Sequence, residues 1–482
     1  MNKNKIVEAD RDIQSRNRWL LECVDKVARI KEGGIGGDKF VKLFNKNPEK
    51  AKLVAGLLEN QMRYNRILKE TSNSLSYLGL TPQQTLQIVR LGTVSALDSD
   101  MFTKIALKST DDKLYFLDTT FGKTLRGATA GGLTYEDYQP YYAGETSYAS
   151  LGTGDNNTVT FAATVTPNPI VPFKVVIKTD KRTIGNDDGV GLITGTGIAS
   201  GTVNYTNGQI SVTFSVAPAT GVVISVEYNF NSELDAMYPT NYGTVSLGIR
   251  PFRFNPRPEP LGYEISDMTE LTLSTTGIDS DPKATLMKGI IDEHARAQTR
   301  KAIAMAKSYA LGNNILEFDA DYASDGAVDD QAYSQRIWTT LKYGIDQVYN
   351  AKKRGGMAKL ICGANASTYL EKHDKFVANN VVNYGGEYLA GTLNGIEVFK
   401  TPADTTFGGL ADNEILLTIK GSESNDTGLV IGSLTSISAD LRYPNFITRG
   451  NIAEVVERKM ITPEFNRLFR ISNLSQNLAP TA

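Results

Sequence analysis

The chain has 482 residues, of which 41% are hydrophobic and 22% are charged, and its formal net charge is −2. These values are typical of a folded protein that is long enough for two or more domains. The nearly balanced charge disfavours a dedicated nucleic-acid-binding protein, because such proteins normally carry a basic excess.

Cysteine content and the absence of apolar runs limit where the protein can reside. Cys23 and Cys362 are the only two cysteines and lie far apart, so a disulfide framework is excluded and a reducing cytoplasm is predicted. The first twenty residues carry charges throughout and lack the apolar core of a signal peptide. No segment approaches the ~18 apolar residues that span a membrane, so no membrane partner is expected.

Residues 1–100 are predicted to form a helical N-terminal arm. The first 70 residues hold 16 Lys/Arg against ten Asp/Glu, and apolar residues recur at helical spacing from Trp19 to Ile30. A run of glycines at 33–37 should end this helix, and a second helix should begin near Pro48. Such an amphipathic arm packs on a partner chain or on its own domain, or it exposes a purely solvated face.

The next two segments lack helical periodicity. Residues 101–150 are rich in Gly, Thr and Tyr and are predicted to form an extended loop region. Residues 151–232 are predicted to form a separate β-sandwich, because Ile210, Val212 and Phe214 alternate with polar residues after the hairpin dipeptide Asn207-Gly208. The same alternation recurs from Ile224 to Phe230.

The longest helix signal follows in residues 233–325, after an extended segment with a proline-rich turn at 256–260. Apolar residues at helical spacing predict a helix over 283–311 that spans roughly 40 Å and could act as a spine. Residues 326–445 then alternate helix and strand patterns and predict an α/β domain. Residues 446–482 alternate as strands that should return to the domain of the spine helix.

None of the residue types that carry out chemistry stands in a convincing motif. His294 lies within the spine helix but is followed by Ala295, with Gln298 where a zinc protease motif requires a second histidine. His373 has no such partner either. Both are expected to be packing or hydrogen-bonding residues.

Three further patterns have ordinary explanations. Gly122-Lys123-Thr124 resembles the end of a phosphate loop, but Leu117 stands where the first glycine is required. The acidic cluster between Asp319 and Asp330 lacks the glycine spacing of a calcium-binding EF-hand loop, so it is expected to be solvated. Each cysteine lies in an apolar pattern and is expected to be a buried thiol. The sequence therefore predicts no catalytic, cofactor-binding or metal-binding residues, and we expect that the protein is not an enzyme.

The order of these parts resembles the HK97-like fold of tailed-phage major capsid proteins, which consists of an N-terminal arm, an extended loop, a peripheral domain with a spine helix, and an axial α/β domain. The resemblance covers roughly residues 240–475, which are similar to the capsid proteins of myovirus-type and crAss-like phages. It is carried by Gly391-Thr392-Leu393-Asn394-Gly395-Ile396-Glu397-Val398 and by Lys420-Gly421-Ser422 with Gly428-Leu429. It implies an α+β chain in which 233–325 is peripheral, 326–445 is axial and 151–232 is an inserted β-sandwich.

The resemblance implies a structural function without cofactors. Copies of the chain are expected to self-assemble into the hexamers and pentamers of an icosahedral head that encloses double-stranded DNA and contacts it non-specifically. Portal, scaffold and auxiliary or decoration proteins are the further partners implied. The expected location is the virion, with assembly in the host bacterial cytoplasm. Two alternatives remain open, an encapsulin-like compartment shell and a β-rich tail or decoration protein of the virion.

Overall fold

The computed structural model describes residues 15, 18–24, 48–71, 97–136, 139–231, 242–276, 282–321, 335–352, 356–379, 386–421, 427–443 and 447–474. The predicted glycine break at 33–37 and the larger part of the acidic cluster lie outside these residues. Both helices and strands are abundant in the described part, so the chain belongs to the α+β class that its sequence predicts.

The described helices and strands have the following bounds. The helices are α1 (Pro48–Thr71), α2 (Asp98–Met101), α3 (Asp267–Thr275), α4 (Pro282–Ala310), α5 (Ile337–Lys352) and α6 (Ala364–Glu371). The first strands are β1 (Thr103–Ala106), β2 (Asp112–Phe121), β3 (Thr146–Thr153), β4 (Thr160–Thr164), β5 (Ile170–Thr179), β6 (Arg182–Asp187), β7 (Ile193–Gly195), β8 (Ile198–Asn204), β9 (Gln209–Phe214) and β10 (Val223–Phe230). The later strands are β11 (Val245–Phe254), β12 (Arg257–Ser266), β13 (Leu316–Asp319), β14 (Met357–Gly363), β15 (Phe376–Ala378), β16 (Tyr388–Leu393), β17 (Ile396–Thr401), β18 (Glu414–Lys420), β19 (Leu429–Tyr443), β20 (Ile447–Met460) and β21 (Arg467–Ser472).

The chain divides into two compact units. Unit 1 comprises Met1–Phe116 and Ile249–Ala482, and unit 2 comprises Leu117–Gly248. The chain leaves unit 1 within β2 and returns to it within β11, and these two strands pair as a two-stranded ribbon. Unit 2 is therefore an insertion into the sequence of unit 1.

Unit 2 contains a β-sandwich. Its sheets have the strand orders β3-β10-β5-β6-β7 and β4-β9-β8, and apolar side chains from both sheets form one core. Ile210, Val212 and Phe214 of β9 all belong to this core, as the alternation in the sequence predicts. A hairpin loop precedes them, with Gly208 at a φ of 77° that an L-residue rarely adopts.

The smaller sheet of unit 1 has the order β1-β19-β20-β12. Strands β19 and β20 form a long antiparallel hairpin, and β1 runs parallel to β19. Helix α1 begins at Pro48, as predicted, and packs its buried side chains, among them Leu57 and Leu58, around Ala106 of β1. Among the three possibilities for this helix, the structure therefore shows packing on its own domain.

The larger sheet of unit 1 has the order β13-β21-β18-β14-β17-β16-β15 and mixes parallel with antiparallel pairs. Apolar residues of α5 and α6, such as Leu341 and Tyr369, form a core with Leu360 and Leu417. A second core contains Ile361 and other residues of the sheet together with side chains of α4. Since neighbouring residues of a strand face opposite sides, helices cover both faces of this sheet.

Helix α4 is the predicted spine and joins the two sheets. It has 29 residues, and its bounds differ by one residue from the predicted 283–311. Met287, Ile290 and Ile291 in its first half pack with Tyr263 of β12 and Ile452 of β20. Ala302, Ile303, Ala306 and Ala310 in its second half belong to a core of the seven-stranded sheet. One continuous helix thus holds both sheets.

The segment before α4 differs from the prediction. The proline-rich turn expected at 256–260 is the beginning of β12, an edge strand that pairs with β20. Pro258 and Pro260 are two residues apart, so their nitrogens point to the same side of the strand, and the unpaired edge needs no N–H donor. Helix α3, which the sequence did not predict, follows directly, with the side chain of Ser266 accepting a bond from the N–H of Thr269 as its N-cap.

Among the strands that lie elsewhere than the predicted division places them are β1 and β21. Strand β1 falls within the predicted extended loop 101–150 but pairs with β19 in the smaller sheet. Strand β21 falls within 446–482, which the prediction assigned to the domain of the spine helix, but it pairs with β13 and β18 in the larger sheet. Strand pairing across such sequence distances is not encoded in local alternation, which predicts a strand but not its partner.

Candidate assembly surface

A carboxylate on β12 ties the central part of α4 to the smaller sheet. Glu259 accepts hydrogen bonds from Lys301 (2.8 Å) and Gln298 (2.9 Å) of α4 and from Arg458 of β20 (2.9 Å). Burial opposes the ionisation of Glu259, but the bonds and charges of Lys301 and Arg458 outweigh it and lower its pKa to about 2. The ion cluster is therefore charged and paired under ordinary conditions.

A second carboxylate ties the C-terminal end of α4 to the larger sheet. Glu414 on β18 is 2.6 Å from Lys307 of α4 and 3.3 Å from Arg470 of β21. It also accepts a bond from the backbone N–H of Ala411 (3.0 Å). Burial opposes its ionisation, but these partners lower its pKa below the ordinary value. Together with the apolar cores on either side, the two clusters attach α4 to both sheets.

The surface of unit 1 carries apolar side chains that none of its described residues covers. Helix α3 has no buried residue at all, and Met268 and Leu271 are 68% and 56% exposed. They are three residues apart and so lie on one face of the helix. A helix with an apolar face and no buried contact normally packs against another element. This face of α3 is therefore a candidate contact with another protein chain.

Other elements of unit 1 also expose large apolar residues. Tyr343 and Tyr349 of α5 are exposed by more than half, although α5 packs its other face on the sheet. Further exposed apolar residues lie at the start of β14, in the edge strand β15 and in a loop, namely Met357, Val377 and Phe407. Single exposed apolar residues are common, whereas their recurrence on several ordered elements indicates interaction surfaces.

The ribbon of β2 and β11 is a further candidate. Phe254 is the only buried residue of β11, and Val245 and Leu247 are exposed. A two-stranded ribbon is marginally stable by itself, because it cannot cover an apolar face. One end of the ribbon is covered, because Phe116 and Phe254 are buried with Val430, so the exposed Val245 and Leu247 are the part left for a contact with another chain.

The two histidines and the two cysteines do not lie together in one site. His294 lies on α4 with Nε2 3.0 Å from the main-chain oxygen of Glu259, whereas His373 accepts a bond from the N–H of Lys375. Cys23 and Cys362 are both buried and do not form a disulfide with each other, and burial raises the pKa of Cys362. These four residues occupy different places in the fold, as expected of packing residues.

The glycine and acidic motifs also have structural explanations. Gly122 and Lys123 follow strand β2, where Gly122 donates its N–H to Thr244 and Lys123 donates to the hydroxyl of Tyr142. A phosphate loop would instead lead into a helix. Asp319 ends β13 and accepts bonds from the N–H of Asp321 and the side-chain amide of Asn473.

Among the residues that the structure describes, no group of three or more His, Cys, Asp or Glu residues is arranged to hold a metal ion. No described helix is long and apolar enough to pass through a lipid bilayer.

No protein-family model and no curated protein matches the chain. Among solved structures, it is similar to the icosahedrally averaged capsid of jumbo bacteriophage PhiKZ, with a TM-score of 0.43, 8% identity, and 80% of this chain and 94% of that chain covered. It is also similar to the mature capsid of bacteriophage PhiM1, with a TM-score of 0.31, 13% identity, and 47% of this chain and 75% of that chain covered. For the holo-SrpI encapsulin complex of Synechococcus elongatus PCC 7942, the TM-score is 0.28 and the identity 11%, with 47% of this chain and 77% of that chain covered. Two of these three structures are phage capsids, and the third is an encapsulin.

Proposed function

We propose that the chain is the major capsid protein of a tailed bacteriophage, and that its copies form the hexamers and pentamers of an icosahedral head around double-stranded DNA. The observation that carries this proposal is the set of exposed apolar side chains on ordered elements of unit 1, above all Met268 and Leu271 on the otherwise uncovered helix α3. The sequence resemblance over 240–475 supplies the kind of assembly.

The proposal assigns a role to each part of the fold. Helix α4 is the spine helix of a peripheral domain within 233–325, and the seven-stranded sheet is the axial domain, predicted at 326–445 and here extended by β21. The ribbon of β2 and β11 is the extended loop, and the sandwich predicted at 151–232 is an insertion. The helical arm within 1–100 includes α1.

Many weak contacts suffice for such a shell. Closed symmetry repeats each contact around the particle, so a subunit is held on several sides without one tight interface. The net charge of −2 suits a shell that encloses DNA and touches it non-specifically. Portal, scaffold and auxiliary proteins would be the further partners, and the virion the final location after assembly in the host cytoplasm.

Electron microscopy of the expressed chain tests the proposal. The wild type should form closed icosahedral shells, and the variant M268D/L271D should remain as single subunits or small oligomers, because two carboxylates would have to be buried at the contact. The matched control is T269D/T272D, which adds the same charge to the same helix at exposed polar positions. It should still assemble.

Other outcomes would contradict the proposal. Tubes or isolated trimers from the wild type would indicate a tail or decoration protein, and shells that contain an enzyme but no DNA in the native host would indicate an encapsulin-like compartment. Shells formed equally well by M268D/L271D would exclude α3 as a contact.

A further inference from the structure

Unit 2 carries an apolar patch that none of its described residues covers. Phe173 of β5 is 70% exposed, and Val190 and Leu192, in the loop between β6 and β7, are 87% and 48% exposed. The ring of Phe173 lies against Gly189, because a Cβ atom added at that glycine would overlap the ring. The three exposed side chains are therefore neighbours, and together we call them the Phe173 patch.

Phe173 is held in an unfavourable backbone conformation. Its φ of 63° is in the left-handed region, which a residue with a bulky side chain rarely adopts. The buried carboxylate of Asp187 fixes this conformation, because its two oxygens accept bonds from the N–H of Phe173 (2.8 Å) and from the N–H of Val175 (2.9 Å). The hydroxyl of Tyr205 donates to the same carboxylate (2.8 Å). Backbone strain of this kind concentrates at functional sites, so it indicates that Phe173 has a role beyond the fold of unit 2.

The loop beside the ring is fixed as well. Oδ1 of Asp188 accepts bonds from the N–H of Val190 (2.8 Å) and from the N–H of Leu192 (3.0 Å), and the N–H of Asp188 donates to the oxygen of Leu192. Gly189 has a φ of 82°, which suits glycine and leaves room for the ring of Phe173. A surface that is ordered before it binds loses little conformational entropy on contact, so the Phe173 patch is preorganised for binding.

From this geometry we propose that the Phe173 patch contacts the same patch on a neighbouring copy of the chain, around a two-fold axis of the assembled shell; this rests on the function proposed above. The polar side chains beneath the patch, Asp187, Asp188 and Tyr205, form their hydrogen bonds within unit 2. A small polar ligand would need placed polar groups, whereas a second apolar surface would not. A two-fold axis brings a surface to its own copy, so the partner has matching chemistry without a second site.

The size of the patch also favours a second copy over a protein recruited from solution. Three side chains of this kind expose on the order of a few hundred Å², whereas a stable complex buries about 800 Å² on each partner. The contact is therefore too small to hold a free partner. Copies that unit 1 already joins meet at an effective concentration in the millimolar range, where a small contact is sufficient.

Disulfide trapping in assembled shells of the full-length chain tests the inference. Residue 190 of one copy should lie close to residue 190 of the next, so mild oxidation of V190C shells should give a covalent dimer on a non-reducing gel, and peptide mass spectrometry should locate the link between the two positions. The matched control is V216C, because Val216 is 76% exposed but lies beyond the end of β9 that is farther from Tyr205. V216C shells, wild-type shells and unassembled V190C subunits should remain without dimers.

A second variant separates the contact from the fold. Glycine suits a φ of 63°, and the side chain that F173G removes is exposed, so urea unfolding of unassembled F173G subunits should differ little from that of the wild type. The dimer yield of F173G/V190C shells should nevertheless fall by about tenfold or more, because the contact loses its aromatic anchor.

The outcomes distinguish this inference from the proposed function. Shells in which V190C gives no more dimer than V216C would overturn the inference and leave the proposed function intact, and this is also the result expected if the patch serves another protein or a ligand. Equal dimer yields with and without the Phe173 side chain, or F173G subunits that unfold at much lower urea concentrations, would overturn it as well. A wild type that forms no shells would contradict both proposals.

Discussion

At the scale of single residues, carboxylates determine how α4 is held. A helix that packs on two sheets with an interface of small apolar residues gains limited area at each contact, since alanines supply much of its second half. Glu259 and Glu414 add charged hydrogen bonds to the second half of α4. The cations that contact them from α4 or β20 are Lys301, Lys307 and Arg458. Removing one carboxylate therefore takes a counter-ion away from the cations that it holds.

Replacing Glu259 by Gln should destabilise unit 1 by about 2–3 kcal/mol at neutral pH. The amide keeps the shape of the side chain but leaves Lys301 and Arg458 without their counter-ion in a partly buried place. The matched control is E264Q on the same strand. Glu264 pairs with Arg449, both side chains are about half exposed, and the loss should be at most about 1 kcal/mol. Urea unfolding of unassembled subunits measures both changes.

The same difference should depend on pH in a defined direction. The pKa of Glu259 falls from its ordinary 4.5 to about 2 in the folded chain. Its stabilising contribution is therefore complete above about pH 4.5 and is lost as the pH falls from there towards 2. The gap between wild type and E259Q should narrow over this window in urea titrations. A gap that stays constant to pH 2 would mean that the carboxylate is not the source.

At the scale of elements, the turn between β16 and β17 shows how two residues fix a hairpin. Asn394 and Gly395 have φ values of 50° and 82°, the left-handed pair of a type I′ turn. A side chain at Gly395 would meet no atom within 4 Å, so only the backbone conformation opposes it. G395A should therefore cost roughly 1–2 kcal/mol. N394G, which suits the same conformation, should change the free energy of unfolding by about 0.5 kcal/mol or less. Equal losses in both variants would contradict this explanation.

Local signals of this kind were sufficient to predict some elements but not others. The turn at Asn394-Gly395 and the apolar spacing of α4 are properties of neighbouring residues, and the structure confirms both. At Asn207-Gly208 the structure has a hairpin, but its loop comprises residues 205–208 and only Gly208 of the dipeptide has a positive φ, so the two-residue type I′ turn is not formed. Strand β12 was misread as a turn because its prolines are acceptable only at a sheet edge, and the sequence does not tell which strand is the edge. The sequence does not predict helix α3, because Met268 and Leu271 are too few to form a clear apolar pattern in a helix of nine residues.

At the scale of the whole molecule, buried ion pairs can join distant parts of the sequence. Lys104 and Glu454 are brought together by the order β1-β19-β20, in which a parallel strand from the first quarter of the chain pairs with a hairpin near its end. No spacing rule relates two such residues. The candidate assembly surface could not be predicted either, because exposure of Met268 or Leu271 depends on what the rest of unit 1 leaves uncovered.

The insertion of unit 2 leads to a prediction about folding. Within that unit, Thr146 of β3 pairs with Asn229 of β10, and the N–H of Phe230 donates to the oxygen of Glu145, so the two ends of the sandwich are adjacent. Replacing residues 146–230 by a short Gly-Ser linker should therefore leave unit 1 folded, because the linker closes a gap that the native chain already closes. Near-ultraviolet circular dichroism and a cooperative urea transition measure this outcome.

The excised sandwich should fold as well, since its own core contains buried side chains from both of its sheets, including Val175 and Val226 of the larger and Ile210 and Val212 of the smaller. Residues 146–230 expressed alone should give a dispersed amide spectrum by nuclear magnetic resonance. A substitution of Val226 by Asp, which buries an unpaired charge in that core, should abolish the dispersion, whereas V216D at an exposed position should not. If the shortened chain lost its cooperative transition while the sandwich alone stayed unfolded, the two units would fold only together, and an inserted domain would be the wrong description of residues 146–230.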